Sequence, residues 1–307
     1  MTWRLFRWVW RLEAPLFVGT SPAGALNRCR LYVPARTVWG ALAAELTRHA
    51  AGPDELSAQC YADVGRELKE SCRFTYLFPA ENTERGWRAW TPKYRAGDGL
   101  IWFREDDHEE TCPRKDRVLR RRLLYTRAGT AIDPTADSAE EGSLHETECI
   151  QKHWRDEEGL DAGPVALLGY VFCRDNGDQI RNGRLWCFER IEALFAGGDV
   201  RYGLGRLELE RASMVPATSV FGASAEVDQD EPRILTDRAL AHAYPDRDVT
   251  LCGDQEAVGG WDMTGQQRDR RISGPVWVPG SRCRDEQARR WQLLESGMLR
   301  LAEAAEA

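Results

Sequence analysis

Four glycines, Gly197, Gly198, Gly203 and Gly205, fall within nine residues, and this run constrains the fold more than any other stretch. Glycine has no Cβ and enters positive φ at no steric cost, so the segment can turn sharply and let a second backbone approach it. A helical pattern over residues 185–195 leads in, and a strand-like alternation through Leu207 and Leu209 leads out. Arg201 and Arg206 flank the turn, with Tyr202 between them. Backbone N–H groups in such a loop can cradle a phosphate. The spacing is neither a P-loop nor a dinucleotide fingerprint, because no Gly-Lys-Ser/Thr opens a helix after it. A loop that uses glycine for geometry alone is the alternative reading.

The 307 residues suggest two domains. Hydrophobic residues make up 42% and charged ones 30%, enough apolar content for real cores. No apolar run reaches the length of a membrane span, and residues 1–7 hold charges where a signal peptide would hold an apolar core. A cytoplasmic protein is expected. The nine cysteines are scattered without a Cys-x-x-Cys and read as small apolar residues; His108 and Cys112 have no second ligand pair, so no metal or other cofactor is expected. The net charge of −7 argues against a wholly cationic nucleic-acid coat but leaves room for a local basic groove. Among the basic residues 38 are Arg and 4 are Lys, and the planar arginine fork suits phosphate and base recognition.

Along the chain, residues 2–12 alternate with aromatics at Phe6, Trp8 and Trp10 and predict a strand. A short strand follows over 29–33. The next segment is a helix with Val38, Leu42 and Leu46 on one stripe; its first turn holds Ala35, Arg36 and Thr37, where Thr37 can cap and the N–H groups can hold a phosphate. A second helix is expected over 54–69 and a strand over 72–78. Residues 80–117 read as irregular and polar. Residues 114–127 hold seven cations and one acid, including Arg120, Arg122 and Arg127, and read either as a solvated strand face or as an anion site. Residues 128–143 read as an exposed hairpin excursion rich in Pro, Gly and small polar residues. Strands are expected over 144–150, 163–174 and 206–211, and after residue 213 short strands near 248–251 and 276–278, then a final helix over 284–305. The order predicts an α+β fold of tandem ferredoxin-like domains, with antiparallel sheets and helices on one face. The domains span 1–212 and 213–307, the second reduced.

Three segments in one order resemble the RAMP superfamily (repeat-associated mysterious proteins) of CRISPR effector complexes. The first is Pro15-Leu16-Phe17-Val18-Gly19 followed by Leu31-Tyr32-Val33-Pro34-Ala35-Arg36-Thr37-Val38-Trp39-Gly40-Ala41-Leu42. It is similar to the family's strand and small-Arg-Gly-Ala helix, with Ala35-Arg36-Thr37 where Gly-Ser is usual and Trp39 where Arg is usual. The second runs from Tyr125 to Glu148 and is similar to the family's Ile-Asp-Arg hairpin, with Pro134 for the usual Arg and His145 for the usual Tyr. The third is the glycine loop. In the C-terminal part, Gly260-Trp261-Asp262, Arg270-Arg271-Ile272-Ser273-Gly274-Pro275-Val276-Trp277 and Leu293-Leu294-Glu295-Ser296-Gly297-Met298 resemble the second domain of the subunit that caps the complex and holds the 5′ handle of the guide RNA, including the single-copy handle subunit of type III-D systems. No second Gly-rich loop follows, so a second RNA contact surface is expected to be incomplete.

The resemblance implies RNA binding without catalysis, to the crRNA 5′ handle, in company with a large signature subunit and a RAMP backbone subunit and with no membrane. The residues expected to contact RNA are Arg36, Thr37, Arg120, Arg122, Arg127, Arg201, Tyr202, Gly203, Gly205 and Arg206. Arginine and N–H groups would take the phosphates and Tyr202 a base, unless Tyr202 packs on the sheet. The rival reading is a RAMP endoribonuclease. The backbone subunits that cut RNA carry an aspartate in the loop before the first helix, and residues 20–27 hold none. His49, His145 and His153 are available as general acid or base, and Asp133 and Asp137 as Mg²⁺ ligands or, more simply, turn residues.

Overall fold

The first strand, Trp3–Leu12, is buried along both faces because aromatic and aliphatic side chains occupy both of its alternating sets: Phe6, Trp8, Trp10 and Leu12 on one, Leu5 and Val9 on the other. It pairs antiparallel along nearly its whole length with Asp161–Arg174, from Trp3 opposite Arg174 to Arg11 opposite Ala166. These two strands are the centre of an antiparallel sheet. Arg206–Leu209 and then Ala193–Phe195 extend it on one side; Phe78–Thr83, Gly86–Arg95, Gly99–Arg104 and Arg114–Lys115 extend it on the other. The computed structural model describes residues 2–50, 56–107, 109–174, 180–181, 184–185, 188, 191–262 and 269–302.

Three α-helices stand among the described residues, and the α+β class holds. Helix α1, Ala35–Ala50, buries Val38, Trp39 and Leu42 and packs on α2, Ala58–Ser71. Ser57 caps α2, its hydroxyl accepting from the Cys60 N–H at 3.2 Å. Trp39 reaches across to donate its indole N–H to the Gly65 carbonyl at 3.0 Å, and Gly65 is small because a Cβ there would lie 2.7 Å from the Trp39 ring. Trp8 stacks on Phe74 beneath the helices, with ring centroids 5.8 Å apart.

Several expectations are overturned. Residues 80–117 are not irregular but form most of a meander, because Trp87, Trp90, Trp102 and Phe103 are buried and the glycines Gly86, Gly97 and Gly99 take the positive-φ turn positions. The basic stretch is a helix, α3 (Asp116–Leu123), before it becomes the strand Leu124–Gly129; Leu119 and Leu123, four apart, are both fully buried and set the helical period. The helix expected over 185–195 is absent where the chain is described: Arg184–Leu185 and Ala193–Phe195 are strands, the latter drawn into the sheet by Arg206–Leu209, and 186–187 and 189–190 lie outside the described residues. The final helix over 284–305 is instead Arg289–Leu293 and Leu299–Leu301, paired by a turn with Gly297 at φ +73°; Trp291 and Leu293 face inward at period two, and 303–307 lie outside the description. The strand expected over 29–33 is two isolated bridges, Gly19 with Cys29 and Val33 with Leu77. Thr37 does not cap α1: the helix begins at Ala35, and the Thr37 N–H already bonds the Pro34 carbonyl at 2.9 Å.

The chain after residue 213 is built directly onto the first sheet. Val215–Pro216 pairs with Phe6 and Arg7, the Trp3 N–H bonds the Val227 carbonyl, and Phe221 sets its ring edge-on against Phe78 and Tyr170. Arg73, 2% exposed, donates to both carboxylate oxygens of Glu231 at 2.6 Å. The described residues there form strands and turns, chiefly a five-stranded sheet and the hairpin Gln255–Asp262 with Asp269–Trp277.

Candidate nucleic-acid interface

The glycine loop is the turn of a hairpin. Ala193–Phe195 and Arg206–Leu209 pair antiparallel, and a 3₁₀ turn, Val200–Tyr202, stands at the tip between two left-handed residues, Asp199 at φ 57° and Gly203 at φ 83°. Two glycines are required by close approach. A Cβ on Gly197 would lie 2.2 Å from the Phe17 carbonyl oxygen, and one on Gly205 would lie 2.0 Å from that of Ala196. The space is taken by hydrogen bonds: Gly198 N–H to Phe17 O at 2.9 Å, Gly205 N–H to Pro15 O at 2.7 Å, and Ala196 N–H to Gly205 O at 2.9 Å. The loop is thus laced to residues 15–19. Leu204 is buried and anchors it, while Arg201, Tyr202, Gly203 and Arg206 are exposed.

Residues 15–19 also meet the excursion. Leu16 and Ile150 exchange backbone hydrogen bonds of 2.9 and 2.8 Å. Ile150 ends the strand His145–Ile150, which pairs antiparallel with Leu124–Gly129; the tip between them is a small hairpin, Ile132–Asp133 with Ser138–Ala139. Asp133 accepts from the Thr135 N–H at 2.8 Å and hydroxyl at 2.6 Å, which holds its carboxyl below the usual range; this is turn chemistry. No cluster of metal-ligating groups occurs among the described residues, and His108 lies outside them.

Loop and excursion enclose a cleft of about 250 Å³ walled by Arg127, Gly129, His145, Thr147, Asp199 and Tyr202. Arg127 reaches across it, its guanidinium donating to the Tyr202 carbonyl at 3.3 Å. The Tyr202 side chain is not packed on the sheet: at 73% exposure it is among the most exposed large apolar residues described. His145 Nδ1 lies 3.1 Å from the Ser143 carbonyl, which can only accept, so Nδ1 carries the proton and Nε2 the lone pair of the neutral ring. The ring lies over its cross-strand partner Gly129, where a Cβ would come within 2.7 Å of Nε2. That pairing of His145 with Gly129 escaped the sequence reading, although a glycine opposite a histidine in the hairpin register would signal it. Among the described residues Asp199 is the one acid on the cleft wall.

The other expected residues are placed differently. Arg120 donates to Asp116 at 2.7 Å and to the Cys29 carbonyl at 3.1 Å. Arg122 donates to the Arg155 carbonyl at 2.8 Å and to Glu81 at 2.7 Å while lying over the Trp154 ring. These two guanidinium groups tie α3 to its neighbours. Arg36 and Thr37 do not wall the cleft; the Arg36 guanidinium packs against Gly260 of the C-terminal hairpin, and Ala35 beside it is buried under Gly297. Arg127, Arg201, Tyr202, Gly203 and Arg206 are therefore the expected residues that share one exposed surface around the glycine turn. His49 pairs with Glu45, and His153 with Asp161, away from that surface.

No family model matches the sequence, and no curated protein does. Among solved structures the chain is similar to a chain of the type III-B Cmr-beta complex bound to cognate target RNA and AMPPnP, with a TM-score of 0.53 and 14% identity over 96% of this chain and 99% of that one. It is also similar to a chain of the same complex bound to cognate target RNA, with a TM-score of 0.51 and 14% identity over 91% of this chain and 86% of that one. The chain therefore shares, over nearly its full length, the fold of a chain found in type III-B Cmr-beta assemblies.

Proposed function

We propose that this chain is a non-catalytic RNA-binding subunit of a type III CRISPR effector complex, which holds the 5′ handle of the crRNA and caps the assembly. One observation carries the reading: the three segments that resemble the RAMP pattern in sequence are joined by direct backbone hydrogen bonds around one cleft. That cleft presents an exposed aromatic ring, Tyr202, with Arg127 on its wall and the exposed Arg201 and Arg206 on the adjoining loop. This is the chemistry of single-stranded RNA recognition, guanidinium for phosphate and a ring face for an unstacked base. An overall acidic protein gains specificity from confining its cations to such a patch. The likeness in fold to chains of RNA-bound Cmr-beta complexes supports membership of a multi-subunit effector. The C-terminal motifs favour the handle position, as in type III-D-like subunits, between a large signature subunit and a backbone subunit. The division into RAMP-like domains at 1–212 and 213–307, the second reduced to strands, belongs to the same reading.

The experiment is titration of purified protein with labelled repeat-derived handle RNA at several salt concentrations. Arg127→Ala and Arg201→Ala each remove about one phosphate contact, so each lowers the magnitude of the salt slope by about one. Tyr202→Ala weakens binding by about 1–3 kcal/mol, the worth of one stacked base. Unchanged affinity in the Arg201→Ala/Arg206→Ala double variant rejects the site. A second reading has one observation in its favour: His145 offers Nε2 inside the same cleft, as the general base of an endoribonuclease would. Cleavage of repeat RNA that disappears in His145→Ala would replace the binding reading with that one.

A further inference from the structure

A second cleft, of about 450 Å³, opens beside the middle of the first strand and shares no residue with the RNA cleft. Its walls include Arg7, Arg85, Arg88, Glu105, Thr218 and Ser219. The charges in it are unequally matched. Arg7 lies 3.7 Å from Glu105, and Asp106, also on the wall, is held by Arg104 at 2.6 Å. Arg85 and Arg88 have no carboxylate within ion-pair distance among the described residues. The Arg88 terminal nitrogens donate only to backbone, the Arg85 carbonyl at 2.9 Å and the Trp87 carbonyl at 3.4 Å, and its Nε is buried without a partner. Arg85 is exposed, on the turn between Phe78–Thr83 and Gly86–Arg95.

Glu105 also lines the cleft. Its side chain is 10% exposed, and among the described residues its Oε1 has no hydrogen-bond partner beyond the longer ion-pair contact with Arg7. Burial pushes its carboxyl upward, against the pull of Arg7 and of Arg88. Thr218 and Ser219, near in sequence to the turn at Phe221 and Gly222, both at positive φ, also line the cleft, and hydroxyls can donate to an anion.

We propose that this cleft is a second anion site that takes a phosphoryl group, with Arg85 and Arg88 as its charged ligands, and the group carried either by a small phosphate compound or by an RNA backbone. The geometry favours an anion because two guanidinium groups wall the cleft with no carboxylate in ion-pair contact among the described residues, and planar guanidinium matches phosphate oxygens. The inference stands apart from the handle-binding reading, since none of its residues wall that cleft.

Calorimetric titration of the full chain with inorganic pyrophosphate tests it. Saturable binding is expected, weakened about tenfold or more in Arg85→Ala/Arg88→Ala, where charge-assisted hydrogen bonds are lost. Glu105→Gln removes the negative charge at nearly constant shape and is expected to bind pyrophosphate at least as tightly as the parent. No saturable binding, binding indifferent to the double arginine variant, or weakening in Glu105→Gln (the mark of a cationic ligand) would each overturn the proposal. Competition in an Arg127→Ala/Tyr202→Ala background separates the sources. Displacement of pyrophosphate by single-stranded RNA identifies a backbone phosphate, and failure of RNA to displace it identifies a small phosphate compound; both support the site. Because the handle cleft is disabled in that background, loss of one activity does not entail loss of the other.

Discussion

Gly205→Ala is expected to destabilise the protein by about 3–5 kcal/mol and to abolish handle binding, whereas Gly203→Ala, two residues away, costs only about 1 kcal/mol. Both glycines are left-handed, at φ +79° and +83°. An alanine at either position therefore carries backbone strain of about 1–3 kcal/mol. The difference lies in what a Cβ meets. At Gly203 it meets nothing within 4 Å; at Gly205 it would sit 2.0 Å from the Ala196 carbonyl oxygen, which belongs to backbone and cannot rotate away. Relief requires the two limbs of the loop to part, and that breaks the bonds of Gly205 N–H to Pro15 and of Ala196 N–H to Gly205 itself. Tyr202 and Arg201 then lose the frame that holds them at the cleft. Urea denaturation gives the stabilities, and the RNA titration gives the affinities. Equal stability losses at the two positions would mean that the loop is not laced to residues 15–19 as described. A stable Gly205→Ala protein that binds RNA normally would remove the loop from the interface.

The long period-two strand at the N-terminus was legible because Phe6, Trp8 and Trp10 fall at every second position, with Leu5, Arg7, Val9 and Arg11 on the alternate set. The first helix was legible for the complementary reason: Val38 and Leu42 share one stripe and are buried on it. What misled were segments whose local pattern is ambiguous at short range. Arg289–Leu293 reads Arg-Arg-Trp-Gln-Leu, equally a helix stripe or two inward residues of a strand, and pairing with Arg233–Thr236, distant in sequence, decided for the strand. The meander after residue 78 was hidden by its charges, among which Trp87, Trp90, Trp102 and Phe103 are buried. At the interface, chemistry was easier to read than contact. Arginine and tyrosine beside glycines suggested an exposed turn, and Tyr202 stands exposed there. Linear spacing could not show that Arg120 and Arg122 turn inward while Arg127, on the strand that follows α3, turns out to the cleft. That sorting depends on where Cys29, Glu81 and Arg155 end up.

Glu256→Ala should cost about 3 kcal/mol of stability, because it leaves charge without a partner in a largely buried network. Glu256 accepts both arms of Arg30, one at 2.8 Å, and the Nε2–H of His242 at 2.7 Å. With that proton on Nε2, the unprotonated Nδ1 accepts from the Tyr76 hydroxyl at 2.6 Å, so the tautomer of this fully buried histidine is fixed from both sides. Arg30 also donates to Tyr32 at 3.0 Å. The network joins the residues on either side of the two helices to the C-terminal half, and its acid response follows from two shifts. Burial alone would raise the Glu256 carboxyl, but the hydrogen bonds from His242 and Arg30 outweigh it and hold the group at about 2, against 4.5 for a free side chain. A carboxylate depressed in the folded state contributes stability that is complete above the unfolded value and is lost as the pH falls from there toward 2. Allowing for solvent around its partly exposed edge, the loss is about 2–3 kcal/mol. His242 acts in the same direction and earlier: burial lowers its affinity for a proton in the fold, so the unfolded chain binds the proton first and stability begins to fall below about pH 6.5. Urea midpoints measured from pH 7 down to 3 should therefore decline in two stages for the parent. In Glu256→Gln the lower stage, beneath pH 4.5, should be largely missing while the upper one remains. Parallel declines in parent and variant would show that the carboxylate is not what binds the C-terminal half to the sheet in acid.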